Sequence, residues 1–193
     1  NGAVLATPPA AVRLVFDAEF LTSISVTMKF AFFAVASEVA LGYLLAQLFM
    51  KEFPGRDFFR TIPTLPLIVA PIVVGSVWRL MTTTSIGIIP YLLKSWFGYD
   101  LNIGRDSTTA FALTVVMDIW HWTPFCFLRF LAGLESLPQD VYEATKIDGA
   151  SAWQELLYVT LPLMVPTIIV TFAFRLVLAF KVFDEVYLLT KGG

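Results

Sequence analysis

An all-helical, polytopic membrane protein is the fold class this sequence predicts, and three observations predict it. Hydrophobic residues make up 58% of the 193-residue chain and charged residues 15%, far from the roughly half-apolar, quarter-charged mix of soluble domains. Mean hydropathy is +0.77. The apolar residues also gather into runs of about 20, the length that crosses a hydrocarbon core at roughly 1.5 Å per residue. A bilayer is the solvent these features imply, and residues 1–193 read as a single transmembrane domain.

At the start, residues 1–11 lack the basic opening and continuous apolar run of a signal peptide, and Thr7-Pro8-Pro9 reads as an extended connector. The first span covers about residues 21–50, with Glu38 its single charge from Phe30 onward. The second covers about 61–80 and is uncharged as far as Trp78. Pro63, Pro66 and Pro71 remove backbone donors from it, so it should be kinked or start late and be buried against neighbours. Residues 80–93 stay apolar but hold Thr82, Thr83, Thr84, Gly87 and Pro90, which suits a short interfacial element. The third span covers about 107–131 and contains Asp118 and His121. The fourth, about 160–189, is uncharged up to Phe174 and then carries Arg175, Lys181, Asp184 and Glu185. The chain stops at Lys191-Gly192-Gly193, straight after an apolar run, and reads as a fragment.

If the spans are crossed in order, residues 51–60 and 134–162 share one side. The short 51–60 loop holds Lys51, Arg56 and Arg60, which places that side in the cytoplasm by the positive-inside rule. Counting whole sides is uninformative: Lys51, Arg56, Arg60, Arg129 and Lys146 stand against Arg13, Lys29, Arg79, Lys94, Arg105 and Lys191. A formal net charge of -2 offers no basic face to nucleic acid. Cys126 has no second thiol to pair with and no imidazole or thiolate cluster around it, so it reads as a small core residue.

Residues 134–160 form a polar loop between the third and fourth spans, rich in acids and with Lys146 its one cation. Ser136 with Gln139, and Ser151 with Gln154, have capping-box spacing, so each should start a helix. Gly149 suits the left-handed residue that ends the first helix, and Pro162 the point where the second meets the membrane. Val141, Ala144, Thr145 and Asp148 share one face of the first helix, while Trp153, Leu156 and Leu157 give the second an apolar face. From spacing alone this hairpin is equally well an ordered loop or a docking element.

Glu143-Ala144-Thr145, Gly149, then Val159, Leu161 and Pro162 resemble the EAA loop of binding-protein-dependent ABC importer permeases. The family pattern is Glu-Ala-Ala, three residues, Gly, nine residues and Ile-x-Leu-Pro. Thr145 and Val159 depart from it and leave its spacing intact. The flanks resemble the carbohydrate branch: Phe58-Phe59-Arg60, Ala132-Gly133-Leu134, Ile147-Asp148-Gly149-Ala150, and Phe183-Asp184 running to Gly193. Similarity covers the chain from roughly Phe20 onward. It implies the helical core of a type I, MetI-like permease, here without the first and last spans. It implies three kinds of partner besides membrane lipid: a second permease, a pair of nucleotide-binding ATPase subunits and an extracytoplasmic solute-binding protein, in a bacterial or archaeal inner membrane. The ending resembles the permease type whose sister subunit lacks it. The chain itself would carry no cofactor, ATP and Mg being held by the ATPase. Glu143 would pair with a cation there, with Ala144, Asp148, Gly149 and Ala150 completing the coupling surface.

A charge in mid-membrane should face a water-filled path or an opposite charge, which singles out Asp118 and Arg175. Near Asp118 lie Trp120, His121, Trp122, Pro124 and Phe125, whose aromatic faces suit sugar C–H groups as well as ordinary helix packing. In the permeases this chain resembles, sugar contacts fall at positions that here hold Asp118, Trp122, Phe125, Arg175, Ala179, Val182 and Asp184. Ala179 and Val182 cannot make the hydrogen bonds of a maltose-type site, so the solute stays open among saccharides, polyols and glycerol phosphodiesters. His121, alone, reads as hydrogen-bonded structure rather than a metal ligand. A secondary transporter relaying ions through Glu38, Asp118 and Arg175 is the alternative, against which the EAA-like loop argues. An intramembrane enzyme finds no His-Glu-x-x-His, Gly-x-Ser-x-Gly or phosphate loop to stand on.

Overall fold

The computed structural model describes residues 18–104 and 106–190. The Thr7-Pro8-Pro9 connector, the cations Arg13, Arg105 and Lys191, and the closing Gly192-Gly193 lie outside the described residues.

Helix α1 runs from Ala18–Met50. Its 33 residues would extend about 50 Å, more than a hydrocarbon core needs, and its first turns are exposed all round up to Lys29. Beyond that Ala31, Ala34, Val35, Glu38, Gly42 and Ala46 form a buried stripe of mostly small side chains at three- and four-residue spacing. Such a stripe lets a neighbouring backbone approach closely. A Cβ on Gly42 would stand 2.5 Å from Cys126 Cβ, so only hydrogen fits where α1 meets the third span.

The expected second span is broken rather than kinked. Helix α2 (Arg56–Thr61), a 3-10 turn (Ile62–Thr64) and α3 (Leu65–Ile68) lead to two extended residues, Val69 and Ala70, before α4 (Pro71–Thr82). The axis turns by 93° at that break. Pro71 forces Ala70 out of the helical region, and its own missing N–H is harmless at the start of α4. At 12 residues α4 is about 18 Å long, short of a full crossing by itself. Helix α5 (Ile88–Phe97) occupies the expected interfacial stretch and ends on Gly98 in the left-handed region, φ 67°.

The third span, α6 (Ser107–Glu135), begins at Asp106, whose carboxylate accepts from the Thr108 amide (3.0 Å) and the Thr109 hydroxyl (2.6 Å). Pro124 lies inside it, buried. Helix α7 (Gln139–Ile147) and a continuous helix Ala152–Ala179 follow. The latter is α8 (Ala152–Glu155), a π turn (Leu156–Thr160) and α9 (Leu161–Ala179). The helix of the fourth span therefore starts inside the loop, at Ala152, ahead of the expected 160. The π turn explains why the proline does not stop it: Pro162 has no N–H and would press on the Tyr158 carbonyl, and the widened turn spanning Tyr158 takes up both effects. It also ends earlier than expected, at Ala179, and residues 184–190 form a separate helix, α10 (Asp184–Thr190), packed along α4.

Helices α1, α6 and α8–α9 are long and apolar enough to cross a membrane, and the bent α2–α4 pair makes a fourth if it is one span. The main core lies between α1, α6 and α9, where Ala46, Cys126, Phe127, Phe130, Leu131, Leu134 and Met164 meet. Phe49 and Tyr43 meet Phe127 and Phe130 edge to face. Cys126 is fully buried there.

Candidate functional site

The hairpin between the third and fourth spans is built almost entirely from local interactions. Gly149 has φ 71°, as its position after α7 requires. The Ala150 amide donates to Thr145 O (3.0 Å) and the Gly149 amide to Lys146 O (3.2 Å), the paired bonds of a Schellman ending. A Cβ at Gly149 would meet nothing within 4 Å, so backbone conformation and not space demands glycine. Ser151 and Gln154 form the full capping box: the Gln154 amide donates to Ser151 Oγ (3.4 Å), and the Ser151 amide to Gln154 Oε1 (2.8 Å).

The box expected at Ser136 and Gln139 is absent. The Ser136 hydroxyl turns back to Gly133 O (2.7 Å) and finishes α6, while Pro138, extended at φ -62° and ψ 128°, begins α7 with no side-chain cap. Proline supplies by its ring the helix start that serine was expected to supply by its hydroxyl.

The two arms are tied by Tyr142 OH to Thr160 Oγ1 (3.3 Å) and by Thr145, whose hydroxyl donates to Tyr142 O (2.8 Å) with Glu155 Oε2 at 3.4 Å. Thr145 is the residue that departs from Glu-Ala-Ala, and its extra oxygen joins the arms. Glu143, Ala144, Asp148 and Gly149 are exposed on the outer side and Ala150 is half-buried. Ile147, Trp153 and Tyr158 add exposed apolar surface. At the base of the hairpin Glu135 accepts from Arg56 (3.2 Å) and from Arg60, fastening the basic 51–60 loop to the end of α6.

Deeper in the bundle, one residue from each of three helices meets. Arg175 of α9 donates through Nε and Nη2 to both oxygens of Glu38 of α1 (2.5 and 2.6 Å), and through Nη2 to Asp118 Oδ2 of α6 (3.0 Å). All three are essentially water-free, at 1% exposure or less. The guanidinium carbon lies 4.5 Å from the centroid of the Trp122 ring, a cation–π contact. Phe125 stacks on Phe174 (5.3 Å) and sits edge-on to Trp122. Of the anticipated path residues, Asp118, Trp122, Phe125 and Arg175 thus come together. Asp184 does not: it is exposed, and its neighbour Glu185 is the buried acid. Asp118 and Arg175 face each other rather than open water.

Glu38 is the member that sequence reasoning left out of the site. The signal was present, because a lone carboxylate in the first span needs a cation, and Arg175 is the arginine inside the fourth. His121 is bonded at two places: Nδ1 meets Glu185 Oε1 (2.8 Å) and Nε2 donates to Val69 O (3.2 Å). Both ring nitrogens are thereby hydrogen-bonded.

A cleft of about 540 Å³ opens between α1, α6 and α10 at the end opposite the hairpin. Thr27, Ser107, Thr114 and Thr190 give it hydroxyls, and Ala179 and Val182 form part of its apolar wall.

The family described as binding-protein-dependent transport system inner membrane component matches residues 38–193. The chain is 41% identical over 177 residues to the probable ABC transporter permease protein y4oQ of Sinorhizobium fredii, covering 92% of this chain and 57% of that one. It is 37% identical over 182 residues to the trehalose/maltose transport system permease protein MalF of Thermococcus litoralis, covering 94% and 62%. It is 33% identical over 183 residues to the sn-glycerol-3-phosphate transport system permease protein UgpA of Shigella flexneri, again covering 94% and 62%. A crystal structure of a bacterial ABC transporter that imports the acidic polysaccharide alginate superposes with a TM-score of 0.81 at 26% identity, over 93% of this chain and 64% of that one. The chain spans about three fifths of the length of these curated relatives.

Proposed function

The chain belongs to the binding-protein-dependent transport system inner membrane components, and from that premise we propose that it is one membrane-spanning subunit of an ATP-driven importer of a sugar or sugar-like solute. The family is one of transport permeases, and the protein is a multi-pass membrane protein. In this reading a second permease completes the path and an external binding protein delivers the solute. Two ATPase subunits, which hold the ATP and Mg, seat the hairpin on the cytoplasmic side of a bacterial or archaeal inner membrane. No bond chemistry or cofactor falls to this chain. The relatives' own cargoes, trehalose or maltose, sn-glycerol 3-phosphate and alginate, support a polyhydroxylated solute and leave its size open.

One observation carries the mechanism: the hairpin's second arm and the fourth span are a single helix, Ala152–Ala179. A push on Glu143 and its exposed neighbours therefore passes through the tied arms into a helix that ends beside the buried cluster. Gly149 fixes the turn and Asp148 and Ala150 flank it. Closure of the ATPases would move α8–α9 as a rigid body between inward- and outward-open states.

For the path, we assign solute contact to Trp122 and Phe125, half-buried aromatics on one face of α6. Arg175 and Asp118 brace Trp122 from behind through the cation–π contact. The exposed Asp184 stands at the outer mouth.

The test is the full-length permease reconstituted with its partners in proteoliposomes carrying Glu143→Lys. The reading expects normal insertion and assembly, with ATP hydrolysis no longer stimulated by loaded binding protein and uptake lost. Wild-type uptake in that variant would refute the coupling role.

A further inference from the structure

The bonds of His121 do not balance without an added proton. Nε2 faces the Val69 carbonyl (3.2 Å), which can only accept, so Nε2 carries hydrogen. Nδ1 faces Glu185 Oε1 (2.8 Å). If Glu185 is ionised it too can only accept, and the ring must then carry hydrogen on both nitrogens. If the ring is neutral, Glu185 must be a carboxylic acid donating to Nδ1. Either way the pair holds one proton more than a neutral histidine beside a carboxylate.

We propose that His121 and Glu185 share this proton inside the helix bundle, and that it clamps α10 and the break of the second span to the third span. Both side chains are 3% exposed, and Glu185 Oε2 is buried with no partner. The charged neighbours point the same way. Asp118 lies one turn before His121 on α6, Glu38 comes from α1, and Arg175 from α9 is the one buried cation among the described residues. The α3 segment brings no ionisable group, α4 brings only Arg79 near its far end, and Asp184 of α10 is exposed. Three buried carboxylates against one guanidinium leave excess negative charge that a proton on the pair reduces.

The proton sits at a seam. Helices α4 and α10 fit tightly, since a Cβ on Gly75 would lie 2.9 Å from Glu185 O. Each joins the rest of the chain through non-helical residues, 69–70 before α4 and 180–183 before α10. His121 grips the carbonyl of the first linker with one nitrogen and α10 with the other.

The test uses the full-length permease in its assembled complex in nanodiscs. Nitrogen-15 histidine NMR, assigned by His121→Gln, and carboxyl infrared bands, assigned by Glu185→Gln, read the proton directly. Either two protonated ring nitrogens or a protonated Glu185 is expected. A neutral His121 together with an ionised Glu185 would overturn the proposal. Glu185→Gln supplies the second arm, because its amide can donate to Nδ1 while Nε2 still donates to Val69 O, retaining both bonds with no extra proton. Labelling of Val74→Cys, normalised to the exposed Ser76→Cys, should stay at the native level in the Glu185→Gln background and rise about tenfold in a Glu185→Leu background, which leaves Nδ1 without a partner. Equal labelling in the two backgrounds would equally overturn it.

Discussion

Arg175 and Glu38, 137 residues apart in sequence, meet as a two-bond fork at 2.5 and 2.6 Å in the middle of a membrane protein. Removing one member should cost more than removing both, because the survivor keeps its desolvation penalty and loses its compensation. Arg175→Met or Glu38→Leu alone should destabilise by about 3–5 kcal/mol, and the double variant should regain part of that, Asp118 being left without its guanidinium partner. Thermal unfolding of the complex in detergent checks the expectation. Additive losses would mean the two residues do not act as a pair.

At Gly149 the open space around the missing Cβ separates strain from crowding. Gly149→Asn should keep the hairpin, since asparagine tolerates the left-handed region. Gly149→Val should lose about 1–2 kcal/mol of local stability and, with it, the stimulation of ATP hydrolysis. Amide exchange at Thr145 to Ser151 and coupled ATPase rates would be read together. Equal behaviour of Asn and Val would contradict the backbone argument.

Ser151 and Ser136 have the same sequence spacing to a glutamine and different roles. Ser151→Ala should cost about 1 kcal/mol at the start of the second arm and raise exchange in residues 152–155. Ser136→Ala should leave exchange at the start of α7 unchanged, because Pro138 starts that helix. A matching effect at α7 would restore the capping box that the structure lacks.

The Thr109 hydroxyl, and after it the Thr108 amide, hold the Asp106 carboxyl below its ordinary range. A lowered folded value means the cap's contribution is present above the unfolded value, near 3.9, and is lost as pH falls through the folded one. The first turn of α6, at the edge of the cleft, should therefore fray under acid, with faster exchange at Thr108 and Thr109. Asp106→Asn should remove this acid sensitivity while retaining a cap. An unchanged acid response in the asparagine variant would count against it.

Sequence reading reaches those features that are local in the chain. The apolar runs, the left-handed Gly149 and the Ser151–Gln154 box depend on residues within a few positions of one another. Pro63, Pro66 and Pro71 announce a disturbance, yet its 93° size depends on what accepts and covers the freed backbone, including His121 at Val69 O. Glu38 with Arg175, and His121 with Glu185, are pairings between different helices. Charge balance limits the choice of such partners, but helix rotation selects among them. For that reason the family resemblance points to the exposed Asp184 in place of the buried Glu185 next to it.

The unbroken helix from Ala152 to Ala179 has a further consequence. Arg175 lies 24 residues beyond Ser151, about 36 Å along one shaft at 1.5 Å per residue. The hairpin and the ion cluster lie at its two ends, so under the proposed coupling a stroke at one end would be felt at the other. The π turn at Leu156–Thr160 and Pro166 both interrupt the regular bonding of that shaft. The less these two places yield, the more of a displacement of the hairpin would reach Arg175 and the Trp122 ring it lies against.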